Sequence, residues 1–305
     1  MRIPDRPLHP VAAALLAALL AAGCAHSQAR PAPQFQPIDG FDEATNARLG
    51  QFFVETREHA GRKVAVFDGD GTVFGQVPHY LADECLYAHA KAHPEKRPEV
   101  IEAMLPQSNV SHPYVQNRVF FFEGDTLESV RDLGDRCFRE HYSTKIYAPM
   151  RGLVAELQDH GFEVWVVTAS PEALYQKFLS RELDIPITRV VGVKSIVHGG
   201  KLTRRIVEPV PQDEGKLEAI ETFVQARPLL VGGNSRGDKE MIEGSAGLKL
   251  IVNPDEHVAV DQTESMADYA KKQGWLIVRV RDVAEPGFPA LSTSDFKIKQ
   301  NKPHQ

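Results

Sequence analysis

The sequence has no excess of positive charge and no apolar run long enough to cross a membrane. It contains 35 Lys and Arg residues against 41 Asp and Glu residues, so its formal net charge is −6. Because a nucleic-acid backbone is bound through an excess of basic residues, we expect no nucleic-acid partner. The apolar run at residues 11–22 is far shorter than the roughly 20 residues that span a bilayer. None of the 12 histidines has the H-E-x-x-H spacing of a zinc protease.

The remaining composition is that of an ordinary globular protein. The 305 residues are 42% hydrophobic and 25% charged, which fits one large domain or one domain with an insert. Because the net charge is negative, an anionic substrate would need a local positive site or a metal ion.

The first 23 residues are typical of a secretory signal peptide. Arg2 and Arg6 precede the apolar run, and small residues follow it directly before a cysteine. The letters AAGC at residues 21–24 resemble the lipobox of bacterial lipoproteins, in which the cysteine is lipidated and becomes the mature N-terminus. This resemblance implies lipidation of Cys24, export, and a lipid anchor in a bacterial membrane with the protein facing the periplasm. An ordinary signal peptide followed by a chance cysteine is the alternative.

Two segments outside the predicted elements are expected to pack little. Residues 24–40 are rich in Ala, Pro and Gln and show no periodicity, which predicts a flexible tether. We therefore expect the globular part to begin near Phe41. Residues 283–305 are polar and are predicted to form a frayed C-terminal tail.

Buried strands alternate with helices along most of the remaining chain. Apolar runs predict the strands KVAVF, EVWVV, ITRVVGV, PLLVGG, LKLIV and WLIVRV. Helical patterns separate them, at MRGLVAELQDHG, PEALYQKFLSREL, EGKLEAIETFVQ and TESMADYAKKQG, and VHGGKLTRRIV is typical of a hairpin. This alternation predicts an α/β fold with a doubly wound, Rossmann-like parallel sheet.

The region between the first two strands differs, because residues 76–145 contain no strand pattern. Helical character is found instead at LADECLYAHAKA, PEVIEAML and TLESVRDLGDRCFREHY. We therefore predict a helical insert at residues 76–145 and a core formed by residues 41–75 and 146–282.

Polar residues follow several of the predicted strands at their carboxyl ends. In open parallel sheets this edge is where ligands bind and chemistry occurs. Asp68 and Asp70 follow the first strand one residue apart, a spacing at which carboxylates repel each other and add nothing to a core. The other candidates at this edge are Thr72, Thr168, Ser170, Asn234 and Asp238, with Lys216 at the start of a helix.

The residues of the DGDGT segment exclude two other kinds of binding site. A calcium loop that starts at Asp68 needs Gly at its sixth place and Glu at its twelfth, where Val73 and His79 stand. A dinucleotide fingerprint needs a third glycine where Phe74 stands. An acidic turn without function remains as the alternative.

The four segments VAVFDGDGT, VWVVTASPE, DEGKLEAI and GNSRGD occur in this order and resemble the motifs of the haloacid dehalogenase superfamily, in its phosphoserine-phosphatase-like branch. The resemblance covers about residues 60–280. It implies that the insert is a cap over the active site and that the protein is a Mg²⁺-dependent phosphatase of small phosphomonoesters. Asn234 departs from the pattern, because the family often has Asp at that position.

The resemblance also implies a role for each candidate residue. Asp68 would be the nucleophile that forms an aspartyl-phosphate, and Asp70 would protonate the leaving alcohol. Thr168 and Lys216 would complete the catalytic set. Phosphate binding would fall to Gly69, Thr72, Ser170 and Asn234, and the metal would be held by Asp68, Asp238 and the backbone carbonyl of Asp70.

Simpler roles remain open for three of these residues. Thr168 could cap its strand, Ser170 could cap the helix that follows it, and Lys216 could be a solvated lysine. Lys201 is a rival for the lysine role, although it lies in the predicted hairpin.

Several functions remain open at this point. A phosphotransferase or mutase would use the same aspartyl-phosphate, and a non-catalytic binding lipoprotein would keep only the fold. A phosphocholine-type phosphatase would need an aromatic cage for the quaternary ammonium, for which Tyr80, Tyr114 and the FFFEGD segment at 120–125 are candidates. Ordinary packing within the cap is the alternative for these aromatics.

The chain has three cysteines, and lipidation of Cys24 would leave Cys85 and Cys137 as a pair in the predicted cap helices. Disulfides form and persist outside the cytoplasm. A Cys85–Cys137 bridge and two buried free thiols both remain open.

Overall fold

A six-stranded parallel sheet is the centre of the computed structural model, which describes residues 33–259 and 262–305. The strands are β1 Val64–Phe67, β2 Glu163–Pro171, β3 Val190–Val193, β4 Ser195–His198, β5 Lys201–Ile206, β6 Leu230–Gly233, β7 Leu248–Val252 and β8 Leu276–Val278. The sheet has the order β3-β2-β1-β6-β7-β8, and all its neighbouring pairs are parallel. Strands β4 and β5 form a separate antiparallel hairpin. The predicted α/β fold with a parallel sheet is confirmed.

Helices cover both faces of this sheet. They are α1 Glu43–Glu55, α2 Leu81–Ala92, α3 Pro98–Met104, α4 His112–Phe120, α5 Leu127–Cys137, α6 Ala148–Asp159, α7 Glu172–Leu183, α8 Gly215–Ala219, α9 Lys239–Glu243, α10 Met266–Lys272 and α11 Leu291–Ser294. Ala65 and Phe67 of β1 pack with α1, α6 and α7, whereas Val64 and Val66 pack with α8, α9 and α10. Because both faces are covered, β1 is apolar throughout.

The N-terminal part of the packed unit was only partly predicted. The proposed signal peptide, Cys24 and residues 24–32 of the proposed tether lie outside the described residues. Ile38 is buried, and its backbone exchanges hydrogen bonds with the Asn46 side chain, so packing begins before Phe41. Helix α1 was not predicted, although Asp42 caps it by accepting a hydrogen bond from the Thr45 N–H.

Neither residues 33–259 nor residues 262–305 contain a helix with both the length and the apolar character needed to cross a bilayer.

The cap, residues 76–145, carries α2 to α5 and no strand. Helix α4 was missing from the sequence-based expectation. A disulfide joins Cys85 of α2 to Cys137 of α5, with their Cα atoms 5.9 Å apart. Of the two alternatives for these cysteines, the structure therefore shows the bridge and not the free thiols. The cap also meets the hairpin, because Gly124 N–H donates to the Leu202 carbonyl and Leu202 N–H donates to the Asp125 carbonyl.

The C-terminal segment is packed, so the prediction of a frayed tail is wrong. The backbone N–H groups of Leu291 and Ser292 donate to the two carboxylate oxygens of Glu84, at 2.9 and 2.8 Å. Ile298 is buried in the main apolar cluster. Asn301 donates from its backbone N–H to the Pro78 carbonyl. A polar segment can pack here because its backbone groups find partners in the cap and its linker.

Both junctions between core and cap meet at one carboxylate. Asp282 accepts hydrogen bonds from the Gln76 N–H at 2.9 Å and from Lys145 Nζ at 2.6 Å. The Gly75 N–H donates to the Lys145 carbonyl, so the two linkers also pair directly. Asp282 and Lys145 are both buried.

Candidate active site

The turn after β1 presents two carboxylates at the sheet edge. Asp68 N–H still donates to the Gly232 carbonyl at 2.9 Å, so Asp68 continues the strand. The chain then turns at Gly71, which has φ +78° and would place a Cβ 2.2 Å from Asn234 Nδ2. Only glycine fits at this position. Asp68 and Asp70 consequently face one cavity.

A buried lysine joins two of the predicted site carboxylates. Lys216 Nζ lies 2.6 Å from Asp68 Oδ1 and 2.5 Å from Asp238 Oδ1. The sequence places Asp68 and Asp238 170 positions apart, and the neighbouring strands β1 and β6 bring them together. All three side chains are buried, so the simpler reading of Lys216 as a solvated lysine is wrong.

Burial and charge set the protonation of this cluster. Burial raises the pKa of Asp68 to about 7, against the opposing attraction of Lys216. Burial also acts to raise the pKa of Asp238, but Lys216 and the N–H groups of Asn234 and Ser235 outweigh it and hold that pKa below its usual value. For Lys216, the two carboxylates outweigh burial and raise the pKa. Lys216 therefore stays charged, and of the two carboxylates that it joins, Asp68 takes a proton more readily than Asp238.

The loop after β6 fixes Asp238 from the other side. Asp238 Oδ2 accepts hydrogen bonds from the N–H groups of Asn234 and Ser235, at 3.0 and 2.9 Å, and from Ser235 Oγ at 3.0 Å. Three donors on one oxygen leave Oδ1 as the atom that faces Lys216. The Asn234 side chain lines the cavity.

Asp70 is held by two hydroxyl groups. Tyr175 donates to Asp70 Oδ1 at 2.7 Å, with Oδ2 at 2.9 Å, and Ser170 Oγ donates to Oδ2 at 2.9 Å. Burial raises the pKa of Asp70 to about 6, although both hydroxyls act to lower it. Ser170 does not cap α7, because the residue at that cap is Pro171. Tyr175 was not among the predicted site residues.

The remaining predicted residues fall into two groups. Thr168 is buried, lines the cavity and accepts the Ser170 N–H at its hydroxyl oxygen. Gly69 and Thr72 are not among the lining residues. Thr72 Oγ1 lies 3.3 Å behind Asp68 Oδ2, so it supports the carboxylate instead of facing a ligand. Lys201 lies exposed on the hairpin and is excluded as the site lysine.

The cap supplies the opposite wall of the cavity, which has a volume of 440 Å³. Arg118 is its main charged group and is buried. Its Nε donates to Asp83 Oδ1 at 2.8 Å, and its Nη2 donates to the Asn109 carbonyl at 3.2 Å. Burial acts to lower the pKa of Arg118, but Asp83 outweighs it and raises the pKa further above its usual value.

The aromatic-cage hypothesis does not fit this wall. Of its candidates, only Tyr80 lines the cavity. The Tyr80 and Tyr114 rings lie 5.5 and 4.9 Å from the guanidinium carbon of Arg118, so they already face a cation of the chain. The side chains of Phe121 and Phe122 are buried in the cap core. The packing alternative is therefore correct for most of these aromatics.

The oxygen donors of the site suit a hard cation. Asp68 and Asn234 line the cavity, whereas Asp238 does not line it and is joined to Asp68 through Lys216 Nζ. The set contains two carboxylates and one amide. Mg²⁺ is bound in proteins through one or two carboxylates, waters and substrate phosphate oxygens, and these residues fit that pattern. Within the described residues, no group of three His, Cys, Asp or Glu side chains offers a metal site made by protein alone.

Comparison with known proteins finds distant relatives in sequence and a solved structure of the same fold. Putative hydrolase ML2424 of Mycobacterium leprae (strain TN) is 25% identical over 162 residues, covering 52% of this chain and 50% of that protein. Phosphoserine phosphatase SerB1 of Mycobacterium tuberculosis (strain ATCC 25618 / H37Rv) is 24% identical over 162 residues, covering 52% and 49%. The chain thus spans about half the length of these curated relatives. A crystal structure of a functionally unknown protein from Anaerococcus prevotii DSM 20548 shares the fold, with a TM-score of 0.60, 15% identity, and coverage of 79% of this chain and 93% of that one.

The profile of the haloacid dehalogenase-like hydrolase family matches residues 65–243. This stretch runs from β1 to the end of α9 and includes both clusters, the one around Lys216 and the one around Asp70. Since it is more than half of the chain, the chain belongs to the haloacid dehalogenase-like hydrolase family.

Proposed function

We propose that this hydrolase is a Mg²⁺-dependent phosphatase of small phosphomonoesters that works through an aspartyl-phosphate on Asp68. The observation that carries the proposal is the placement of Asp68, paired with Lys216, in the same cavity as a separately held Asp70. One carboxylate is balanced by a cation and the other is held by neutral hydroxyls. Environments that differ in this way suit two carboxylates with different roles.

In the first half-reaction, an oxygen of Asp68 attacks phosphorus and the bond from phosphorus to the alcohol oxygen breaks. Asp70 gives its proton to the departing alcohol oxygen. Lys216 balances negative charge beside Asp68, and the Thr168 hydroxyl is available to bind a phosphoryl oxygen. Mg²⁺, held by Asp68, Asp238 and the Asp70 carbonyl, would neutralise charge on the phosphoryl group.

In the second half-reaction, Asp70 takes a proton from water, and the water oxygen attacks phosphorus. The bond between phosphorus and Asp68 then breaks, which releases inorganic phosphate and restores both carboxylates. Each proton that Asp70 gives in the first half is recovered in the second, so the cycle balances.

The cavity favours a small and polar leaving group. Its 440 Å³ must hold the phosphate and the alcohol together, and Arg118 and Asn109 line its cap side. Because a relative is named a phosphoserine phosphatase, phosphoserine is the first ester to test. The position of Arg118 against Tyr80 argues against a quaternary ammonium at this wall.

The test is phosphate release from p-nitrophenyl phosphate and phosphoserine, with Mg²⁺ and after its removal by chelation. Asp68→Asn should abolish turnover and leave the fold intact, because it keeps the shape and loses the nucleophile. The control is Asp132→Asn, which alters an exposed carboxylate of the cap. Turnover that persists in a folded Asp68→Asn variant contradicts the proposal. Transfer of phosphate to an added alcohol, without net release, would favour a phosphotransferase.

We also propose that the protein is exported and anchored through a lipid on Cys24. The lipobox-like AAGC segment supports this proposal. Cys24→Ser should move the protein from the membrane fraction to the soluble fraction. An unmodified mature N-terminus found elsewhere by mass spectrometry would contradict it.

A further inference from the structure

Tyr175 connects the proposed acid to the cap. Its hydroxyl lies 2.7 Å from Asp70 Oδ1 and accepts the Ala82 N–H of α2 at 3.3 Å. Ala82 is the second residue of α2, whose first N–H groups have no partner within the helix. The tyrosine thereby joins the first turn of the cap to the carboxylate at the end of β1.

The donor and acceptor roles in this chain of hydrogen bonds follow from the groups. An amide N–H only donates, so the Tyr175 hydroxyl must accept from Ala82. The single hydroxyl proton is then directed at Asp70. Tyr175 does not line the cavity, whereas Asp70 does. The tyrosine therefore holds the carboxylate from behind and leaves the cavity side free.

Packing fixes the ring that carries this hydroxyl. Tyr175 is fully buried, and its ring makes edge contacts with Phe74 and Phe178 at centroid distances of 5.5 and 5.4 Å. A ring locked in this way holds its hydroxyl at one place. Such support from behind is what keeps a reacting group in its productive position.

We infer that Tyr175 is a positioning residue for proton transfer, which holds the Asp70 carboxyl so that its proton points at the departing oxygen. The inference rests on the proposed function. In the step concerned, the Asp70 proton moves to the alcohol oxygen as the phosphorus–oxygen bond breaks, and Tyr175 keeps its own proton throughout.

Two aryl esters that differ only in a para-nitro group test this role. Phenolate is a much stronger base than p-nitrophenolate, so phenyl phosphate needs a proton on its leaving oxygen far more than p-nitrophenyl phosphate does. The quantity to compare is kcat/KM, which reports the steps up to the departure of the alcohol. A general loss of structure would lower kcat/KM for both esters equally.

Tyr175→Phe should lower kcat/KM for phenyl phosphate by about tenfold to a hundredfold, which is part of the roughly 10²–10⁴-fold that a positioned general acid contributes. For p-nitrophenyl phosphate we expect a loss of less than about threefold. The matched control is Tyr142→Phe, since Tyr142 is equally buried but donates to the His79 carbonyl. It should affect both esters alike.

Ser170→Ala keeps the inference testable if Tyr175→Phe does not fold, because it removes the other donor to Asp70. It should show the same difference between the two esters. Equal losses on both esters, or the same difference in Tyr142→Phe, would overturn the positioning role while leaving the proposed function intact. A wild-type protein that hydrolyses neither ester with Mg²⁺ would overturn both.

Discussion

Replacing Lys216 by methionine should leave two buried carboxylates facing each other. In the wild type, Lys216 Nζ bonds Asp68 Oδ1 at 2.6 Å and Asp238 Oδ1 at 2.5 Å. Methionine has nearly the same length and no charge, so the variant fills the space and removes only the cation. The folded state then contains uncompensated negative charge that the unfolded chain exposes to water.

The size of the effect follows from the burial of the cluster. Removing one partner of a buried ion pair typically costs about 3–5 kcal/mol. Two unit charges about 4 Å apart repel by a similar amount, about 4 kcal/mol, at the effective dielectric of such sites. We therefore expect the free energy of unfolding to fall by about 3–5 kcal/mol at pH 8.

The loss should shrink at lower pH. Without Lys216, the pKa of the Asp68 carboxyl should rise above the value of about 7 that burial already gives it. Between its unfolded value near 4 and this raised pKa, the folded protein binds more protons than the unfolded chain, so stability falls as pH rises through that window. The wild type shares this dependence up to about pH 7, so the two proteins differ only between pH 7 and the raised pKa. We therefore expect the loss to be about 1 kcal/mol smaller at pH 5 than at pH 8.

Urea unfolding followed by circular dichroism at pH 5 and pH 8 measures both effects. Added Mg²⁺ should recover more stability in Lys216→Met than in the wild type, because a cation relieves the same repulsion. The control is Lys272→Met, which alters an exposed lysine of α10. A loss below about 1 kcal/mol at pH 8, or equal losses at both pH values, would refute the reasoning.

Three further predictions concern separate features. The Cys85→Ala/Cys137→Ala double variant should lose about 4 kcal/mol in urea unfolding, since the bridge joins residues 52 apart; no loss would show that the bridge does not constrain the unfolded chain. Asp238→Asn should weaken Mg²⁺ binding by about tenfold or more in calorimetry, and unchanged binding would exclude Asp238 as a ligand. For phenyl phosphate, kcat/KM should be highest between about pH 6 and pH 7 and fall on both sides, because Asp70 must carry a proton while Asp68 must have lost one; a flat profile from pH 5 to 8 would argue against this pair.

The sequence predicted the sheet and the reacting side chains at its carboxyl edge, but fewer than half of the residues that line the cavity. Strand ends are readable because an apolar run stops at a polar residue, as at Asp68 and Thr168. Lys216 was placed correctly by its position at the start of a helix. Gly69 and Thr72, which are predicted to bind phosphate, do not line the cavity, and Thr72 Oγ1 lies 3.3 Å from Asp68 Oδ2. That difference depends on local backbone geometry, which residue types alone do not specify.

The site residues that the sequence analysis missed depend on contacts between positions far apart in the sequence. Tyr175 looks like any buried aromatic of a helix, and only the fold brings its hydroxyl to Asp70, 105 positions away. From the sequence alone, Arg118 would be taken for an exposed residue of a short helix. In the structure it is buried in an ion pair with Asp83. The packing of the polar tail could not be predicted, because its hydrogen-bond partners, the Glu84 carboxylate and the Pro78 carbonyl, lie more than 200 positions earlier in the chain.

The C-terminal segment supports the site, although it lies outside the stretch that matches the family. The family profile stops at residue 243, and all four motifs lie before that point. Asp282, however, holds both linkers of the cap, and Asn301 holds the stretch that carries Tyr80 into the cavity. A protein shortened after β8 would keep every residue of the proposed chemistry and lose these anchors. Homology therefore outlines the reacting groups, whereas the contacts that anchor the cap and its linkers extend to residue 301.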